Sequence, residues 1–433
     1  MHDGNLIHAR SVIAQLGDFS LIRSPAKCAA RIGQAFSETS TAVPLDPRIV
    51  RTIPDIERND RVFSDGVGTF SQSVLHKIWS AIDISRKHKP TLFQIRYAGA
   101  KGMISLDTSL QGDVLQLRPS MVKFSGSDAS DIEICGAAYR PLPMYLNRQL
   151  IKILEDLGVP DQVFLDLQAD AVERLRRTTL NPINAANFLK RNFVGEIAQT
   201  PWLIRKLDDM GLPFEADNFL RDTVEMAVLV QLRELKHRAR ILVEDGVTLY
   251  GIMDETGYLR EGEVFVVVET EEGEPSVITG QEVIVTRSPA LHPDDIQVAT
   301  AVTVPLDSPL MALSNCVCFS QKGFRDLPSQ LSGGDLDGDL YNIIYHPGMR
   351  LKKVYEAADY PRQPAVDIGR PVTRQDMADF FVQFMENDQL ARIANLHLVL
   401  ADQKPAGTTD PECIFLAEKH STAVDFSKTG IPV

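Results

Sequence analysis

Several things are scarce in this chain, and each scarcity narrows what it can be. Across its 433 residues no apolar run approaches the roughly 18 residues of a membrane-crossing helix, and no charged-then-apolar leader opens it. Membrane-spanning and secreted classes are set aside, and an intracellular location is expected. Cysteine is sparse too: five residues, of which only Cys316 and Cys318 lie close together, give neither a disulfide framework nor a zinc-binding pattern. They read as core thiols, with Cys316-Val317-Cys318-Phe319 as a buried strand. Positive charge is also in deficit, with 45 Lys and Arg against 58 Asp and Glu and a formal net charge of −13. The outer surface is therefore not built to hold a polyanion, although a local basic channel can coexist with an acidic exterior.

What is present is an ordinary folded composition, 44% hydrophobic and 24% charged, large enough for two or three packed units. Its most informative stretch is Asp335-Leu336-Asp337-Gly338-Asp339, preceded by Ser332-Gly333-Gly334. In an extended segment, side chains at alternate positions share one face. Three carboxylates would then converge, and at about 5 Å and an effective dielectric of about 20 each pair costs on the order of 3 kcal/mol. A divalent cation removes that cost, and hard carboxylate oxygens suit Mg2+, with Mn2+ as a substitute. Gly338 and the Gly333-Gly334 pair would admit a bulky polyanion near the metal. A calcium loop is excluded: counted from Asp335, its glycine and glutamate positions are Leu340 and His346. The apolar run from Leu340 to Tyr345 leads the aspartates into a buried sheet, which also argues against a merely solvated acidic turn.

Along the chain, residues 1–58 mix short pieces with prolines and read as a covering segment. Strand-like runs between glycine-rich turns (91–96, 103–106, 114–117, 132–134) place a first β-rich unit at 59–140. Leu146, Leu150, Ile153, Leu154 and Leu157 at helical spacing, closed by Gly158 and Pro160, begin a helical connector over 141–240. Its basic end, Arg233, Lys236, His237, Arg238 and Arg240, suits a helix C-terminus on a solvated face. Strand periodicity returns over 241–350 (263–269, 282–286, 296–304, 315–319), giving a second β-rich unit that carries the aspartates. Residues 351–433 are helical: Thr373-Arg374-Gln375-Asp376 reads as a capping box, and Met377, Phe380, Phe381, Phe384 and Met385 form a stripe best explained by core packing.

The run from Lys322-Gly323-Phe324-Arg325 through Leu331-Ser332-Gly333-Gly334 to the aspartates resembles the signature of the eukaryotic RNA-dependent RNA polymerases of RNA silencing. Further segments continue the resemblance in family order: Lys27 to Ser37, Phe63-Ser64-Asp65-Gly66-Val67-Gly68, Phe93 to Gly102, Leu117 to Phe124, Tyr145 to Gln149, Tyr250 to Gly257, Thr286 to Pro293, Asn387-Asp388 and Val424 to Gly430. The resemblance implies an α+β fold with two double-psi β-barrels facing each other across a cleft, joined by the helical connector. Family members carry a region before the first barrel and continue past the point where this chain stops, so it reads as a truncated catalytic segment.

The implied activity is RNA-directed synthesis of complementary RNA, giving double-stranded RNA for silencing by two-metal nucleotidyl transfer, with RNA template, ribonucleoside triphosphates and silencing-pathway proteins as partners. Asp335, Asp337 and Asp339 would hold the metals. Lys101 and Lys123, in motifs whose family counterparts face the aspartates, are candidates for neutralising phosphate charge; a surface role is their ordinary alternative. Arg287 with Gly338 would meet the nucleotide, with a structural ion pair as the other reading of Arg287. Arg96, Arg118, Lys322 and Arg325 are candidate RNA contacts, Arg96 and Arg118 equally able to brace the barrel. Two other functions stay open: a non-catalytic RNA-binding fragment, and the barrel region of a DNA-directed RNA polymerase. Gly333, where the DNA-directed enzymes usually have Asn, weighs against the latter.

Overall fold

Alternation between core and surface marks the strands. In Leu92–Tyr97 the side chains of Phe93, Ile95 and Tyr97 are buried while Gln94 and Arg96 stay partly exposed, the period of two that a half-covered sheet imposes. The structure is a computed structural model that describes residues 8–34, 39, 41–82, 89–270, 273–359 and 363–433. Ala35, Phe36 and Ser37 of the first family segment lie outside the described residues. The chain forms two units: one comprises residues 1–142, 246–345 and 353–433, the other residues 143–245 with 346–352.

The first unit contains two large sheets. One has seven strands, in the order Thr41–Pro44, Asp131–Ala137, Leu92–Tyr97, Ala100–Leu106, Val67–Phe70, Leu115–Leu117 and Val50–Thr52. The other has eight, six of which close a ring. Leu242–Met253 pairs with both Cys316–Phe319 and Leu340–Ile344; from there the ladder runs through Glu263–Glu269, Ile296–Ala301 and Gln281–Arg287 and returns to Leu340–Ile344. Closure removes exposed strand edges.

The expected α+β architecture is present, with one closed barrel and a helical C-terminal region. The closed ring lies in the 241–350 region; in the seven-stranded sheet, which holds the strands of the expected first barrel, Thr41–Pro44 and Val50–Thr52 each have one ladder partner among the described residues and end the path. These end strands are only four and three residues long, which limits the ladder bonds they can make, and both precede residue 59.

The sheets share one core, in which Phe70, Phe93, Ile95 and Met103 from the first join Val264, Phe265, Phe319 and Tyr341 from the second. Burying each such side chain contributes about 1.5–3 kcal/mol. The Cys316–Phe319 strand is fully buried and its thiols are free.

The C-terminal helices are Arg374–Asn387, Leu390–Gln403 and Pro411–Thr429. The capping box forms as read, with Asp376 N–H donating to Thr373 Oγ1 at 3.3 Å and Thr373 N–H to Asp376 Oδ2 at 2.7 Å. The hydrophobic stripe is corrected. Phe380 and Phe384 pack on Phe426, at 6.0 and 5.1 Å between ring centres, but Phe381 and Met385 are 62% and 65% exposed. The five positions span too wide an arc for one helix to cover them all.

The second unit is a helical bundle. Asn147 caps Arg148–Asp156 by accepting from Leu150 N–H at 2.8 Å, and Leu150, Ile153, Leu154 and Leu157 are buried as their spacing predicts. Ala185, Ala186, Leu189, Ile204, Phe214, Leu220 and Val224 form a small core. The basic end of Asn218–Arg238 is exposed, with Arg238 paired to Glu234 at 3.1 Å and Arg240 stacked over Tyr145 at 4.0 Å. Among the described residues no helix is long and apolar enough to cross a membrane.

Candidate active site

The aspartates lie on a bent loop rather than an extended segment. Ser332, Gly333 and Gly338 have φ of 53°, 63° and 132°, so the chain turns tightly before entering Leu340–Ile344. The carboxylates partly close this loop on itself: Asp339 Oδ2 accepts from Asp335 N–H at 3.0 Å, and Asp335 Oδ1 from Asp337 N–H at 3.2 Å. Tyr341, fully buried, donates its hydroxyl to Asp335 O at 2.7 Å. The simple alternation read from the sequence is thereby corrected: the positive-φ turns and these bonds set where each carboxylate points.

The seven-stranded sheet meets the loop directly. Leu336 N–H donates to Asp65 O at 2.8 Å, and Gln94 Nε2 to Asp337 O at 3.1 Å. Gly66 abuts Asp337 so closely that a Cβ there would stand 2.5 Å from Asp337 Cβ and 2.8 Å from its backbone. Only glycine fits this approach, made at φ +87°.

Three cations complete the site. Lys101, on Ala100–Leu106, places Nζ 3.1 and 3.2 Å from the two Asp337 oxygens. Lys123 Nζ lies 3.8 Å from Asp337 Oδ2 and donates to Ser120 O at 3.0 Å. Arg287 ends the strand Gln281–Arg287 and holds Asp339, with Nε 2.6 Å from Oδ2 and one terminal nitrogen 3.2 Å from Oδ1. The electrostatics follow from this pairing. Burial pushes the Asp337 carboxyl up, but Lys101 and Lys123 outweigh it and hold the group below the usual carboxylate range. Among the described residues no cation forms an ion pair with Asp335: burial first, then Asp337, Asp339 and Asp65, push it up to about 7. Burial draws the Lys123 ammonium down, against the pull of Asp337.

The remaining predicted residues are placed differently. Arg118 is 2% exposed, forms a two-pronged pair with Glu255 at 2.8 Å and donates to Val67 O and Pro54 O; it braces the sheets. Arg325 donates to Ser329 O, Ser329 Oγ and Ala357 O. Lys322 is exposed, and Arg96 sits opposite Lys101 in the ladder. Sequence reasoning missed four participants. Asp65 and Gln94 touch the aspartate loop, Asp55 supports Ser120, and Arg31, on the helix Pro25–Gln34, acts electrostatically on Asp337 and Lys123. The segment Phe63 to Gly68, a family segment in the sequence, is the signal for Asp65, although an Asp-Gly pair by itself suits any turn.

Among the described residues no group of three or more His, Cys, Asp or Glu side chains is arranged as a metal cage. The chemistry of the donors does fit a hard dication: three neighbouring carboxylates, one pushed up to about 7 chiefly by burial and by its acidic neighbours, gain most from Mg2+.

Comparison with known proteins agrees with this picture. A family profile described as "RNA dependent RNA polymerase" matches residues 1–433. RNA-dependent RNA polymerase 1 of Arabidopsis thaliana is 36% identical over 431 residues, covering 98% of this chain and 38% of that protein. The probable RNA-dependent RNA polymerase 1 of Oryza sativa subsp. japonica is 34% identical over 427 residues, covering 98% and 56%. A solved structure of the RNA dependent RNA polymerase QDE-1 from Thielavia terrestris superposes with a TM-score of 0.79 at 22% identity, over 98% of this chain and 51% of that one, a likeness of fold. The chain thus spans between 38% and 56% of these two curated relatives. The chain belongs to the RNA-dependent RNA polymerase family, in the eukaryotic RNA-silencing branch that its motifs resemble. Membership in this family answers the DNA-directed alternative.

Proposed function

We propose that the chain carries the catalytic centre for RNA-templated addition of ribonucleotides to an RNA 3′ end, making double-stranded RNA for silencing. The observation that carries this reading is the meeting of Lys101, on the strand Ala100–Leu106, and Lys123, in the loop after Pro119–Met121, with Asp337 of the acidic loop. Side chains of opposite charge are gathered where a metal-bound triphosphate needs both: carboxylates for the cation, ammonium groups for phosphate oxygens. Asp335, Asp337 and Asp339 would hold Mg2+, or Mn2+ in its place. When bound, the metal supplies charge that stabilises the attacking 3′ oxygen and the departing pyrophosphate.

The rest falls to the protein's own groups. Lys101 and Lys123 neutralise phosphate charge as it develops. Arg287 fixes Asp339 and stands beside the loop, where its guanidinium can reach a ribose hydroxyl. Gly66 and Gly338 let the acidic loop pack against Asp65, Gln94 and their neighbours, which fixes the loop beside the lysines. Lys322 and Arg96 remain candidates for RNA phosphates. Partners in the silencing pathway follow from the family by analogy.

The test is incorporation of labelled ribonucleotide on RNA and on DNA templates with Mg2+, by the chain and by Asp337→Ala. Incorporation on RNA that the substitution abolishes is expected. Incorporation unaffected by Asp337→Ala contradicts the assignment, and tight RNA binding with no incorporation favours a binding fragment.

A further inference from the structure

Asp55 lies outside every catalytic motif read from the sequence, yet its carboxylate is fully engaged. Oδ1 accepts from the Ser64 hydroxyl at 2.8 Å and from the Ser120 hydroxyl at 2.7 Å, and Oδ2 accepts from Ser120 N–H at 2.9 Å. No cation pairs with it among the described residues. Two contacts then run onward from Ser120 to the site. Its hydroxyl accepts from Gly66 N–H at 3.1 Å, and its carbonyl accepts from Lys123 Nζ at 3.0 Å.

We infer that Asp55 is a positioning residue: through Ser120 it holds both Gly66 and the Lys123 ammonium against Asp337. An ionised carboxylate only accepts, so the Ser120 hydroxyl must spend its proton on Asp55 and present a lone pair to Gly66. Without that carboxylate the hydroxyl is free to rotate and the Ser120 amide loses its acceptor. Gly66 has no slack, since it already touches Asp337. The Lys123 ammonium, tethered at Ser120 O on one side, sits 3.8 Å from Asp337 on the other, so a shift of Ser120 moves the charge off its target. Supporting contacts of this kind typically matter by 10- to 100-fold where they orient the groups of a site. The same loop has a second anchor, Arg118 Nε donating to Pro54 O at 3.2 Å, which should preserve the fold when Asp55 is changed.

This inference rests on the phosphate-neutralising role given to Lys123, and a double-mutant design separates the two. Asp55→Asn, Ser120→Ala, Ser120→Thr and Lys123→Met, with the doubles Asp55→Asn/Lys123→Met and Ser120→Ala/Lys123→Met, are made in the 433-residue chain. Turnover on an RNA template, affinity for a non-incorporating triphosphate analogue in Mg2+, and thermal unfolding are measured. Asp55→Asn and Ser120→Ala should each lower turnover about tenfold or more and weaken the analogue, with near-normal unfolding. Ser120→Thr should restore both, and each second change should cost less in the Lys123→Met background than it costs alone, because the Lys123 contact is already gone and only the Gly66 contact is left to lose. If Asp55→Asn folds poorly, the Ser120 variants carry the test. Losses that multiply in the doubles, or single variants as fast as the parent, overturn the inference while leaving an impaired Lys123→Met to support the role of the lysine. A fully active Lys123→Met overturns that role, and this inference with it.

Discussion

Lys101 and Asp337, 236 positions apart in sequence, meet at 3.1 Å between the seven-stranded sheet and the loop that leads into the closed barrel's last strand, Leu340–Ile344. Each is about three-quarters buried, at 25% and 20% side-chain exposure, so neither is solvated well enough to stand alone. Removing one partner of such a pair costs more than the pair itself contributes, because the other charge is left behind. Lys101→Met should therefore lower both turnover and stability in the absence of divalent cation, the latter by about 1–3 kcal/mol. Added Mg2+ should recover much of the stability and little of the turnover. Thermal unfolding with and without Mg2+, beside an incorporation assay, reads both.

The acid cluster makes a prediction about pH. Asp335 is pushed up from 3.8 to about 7, so between those values the folded state binds more protons than the unfolded one. Stability from this group is present below about pH 4 and is lost as pH rises through about 7, at up to about 1.4 kcal/mol per pH unit. Asp337 works oppositely: its carboxyl is held down, so its contribution is present above the usual carboxylate range and lost as pH falls. Denaturant unfolding of the metal-free chain from pH 5 to 8 should show a falling component that Asp335→Asn removes. An unchanged pH slope in that variant would refute it.

Gly66→Ala tests the close approach of the two sheets. The added Cβ would meet Asp337 Cβ at 2.5 Å at a backbone φ of +87°, so either the loop or the strand must move. Incorporation should fall by at least 100-fold, as happens when reacting groups are displaced by about 1 Å, with a loss of stability of about 1–3 kcal/mol. An active, stable Gly66→Ala would show that the approach is looser than described.

Arg118 separates bracing from RNA binding. Its guanidinium is 2% exposed and paired with Glu255, so Arg118→Met should destabilise by about 3–5 kcal/mol. The salt dependence of RNA binding should not change. Urea unfolding and an RNA titration at several salt concentrations check the two halves.

Much of this was legible beforehand because local chemistry marks it. Strand-like apolar runs between turns placed Leu92–Tyr97 and Glu263–Glu269 to within a residue, spacing placed Arg148–Asp156, and the Thr373 capping box was visible in four residues. The aspartates were conspicuous by charge. What spacing could not show was the bend, since the backbone at Ser332, Gly333 and Gly338 is set by tertiary contacts with Gln94, Asp65 and Tyr341. The pairing of Lys101 and Lys123 with Asp337 was reached through family resemblance, because contacts between sheets leave no periodic trace. Asp55 was silent for the same reason: its partners at Ser64 and Ser120 are defined only once the chain has folded. That Thr41–Pro44 and Val50–Thr52 end the seven-stranded path among the described residues was likewise not legible, because short end strands resemble any others in sequence.

The central claim is that the acidic loop is a cation site, and crystals grown with Mn2+ and a non-incorporating nucleotide test it most directly through anomalous scattering. The account predicts a manganese peak ligated by oxygens of Asp335, Asp337 and Asp339, with Lys101 and Lys123 turned to the phosphates. Carboxylates still paired only with Lys101, Lys123 and Arg287, and no manganese among them, would contradict it.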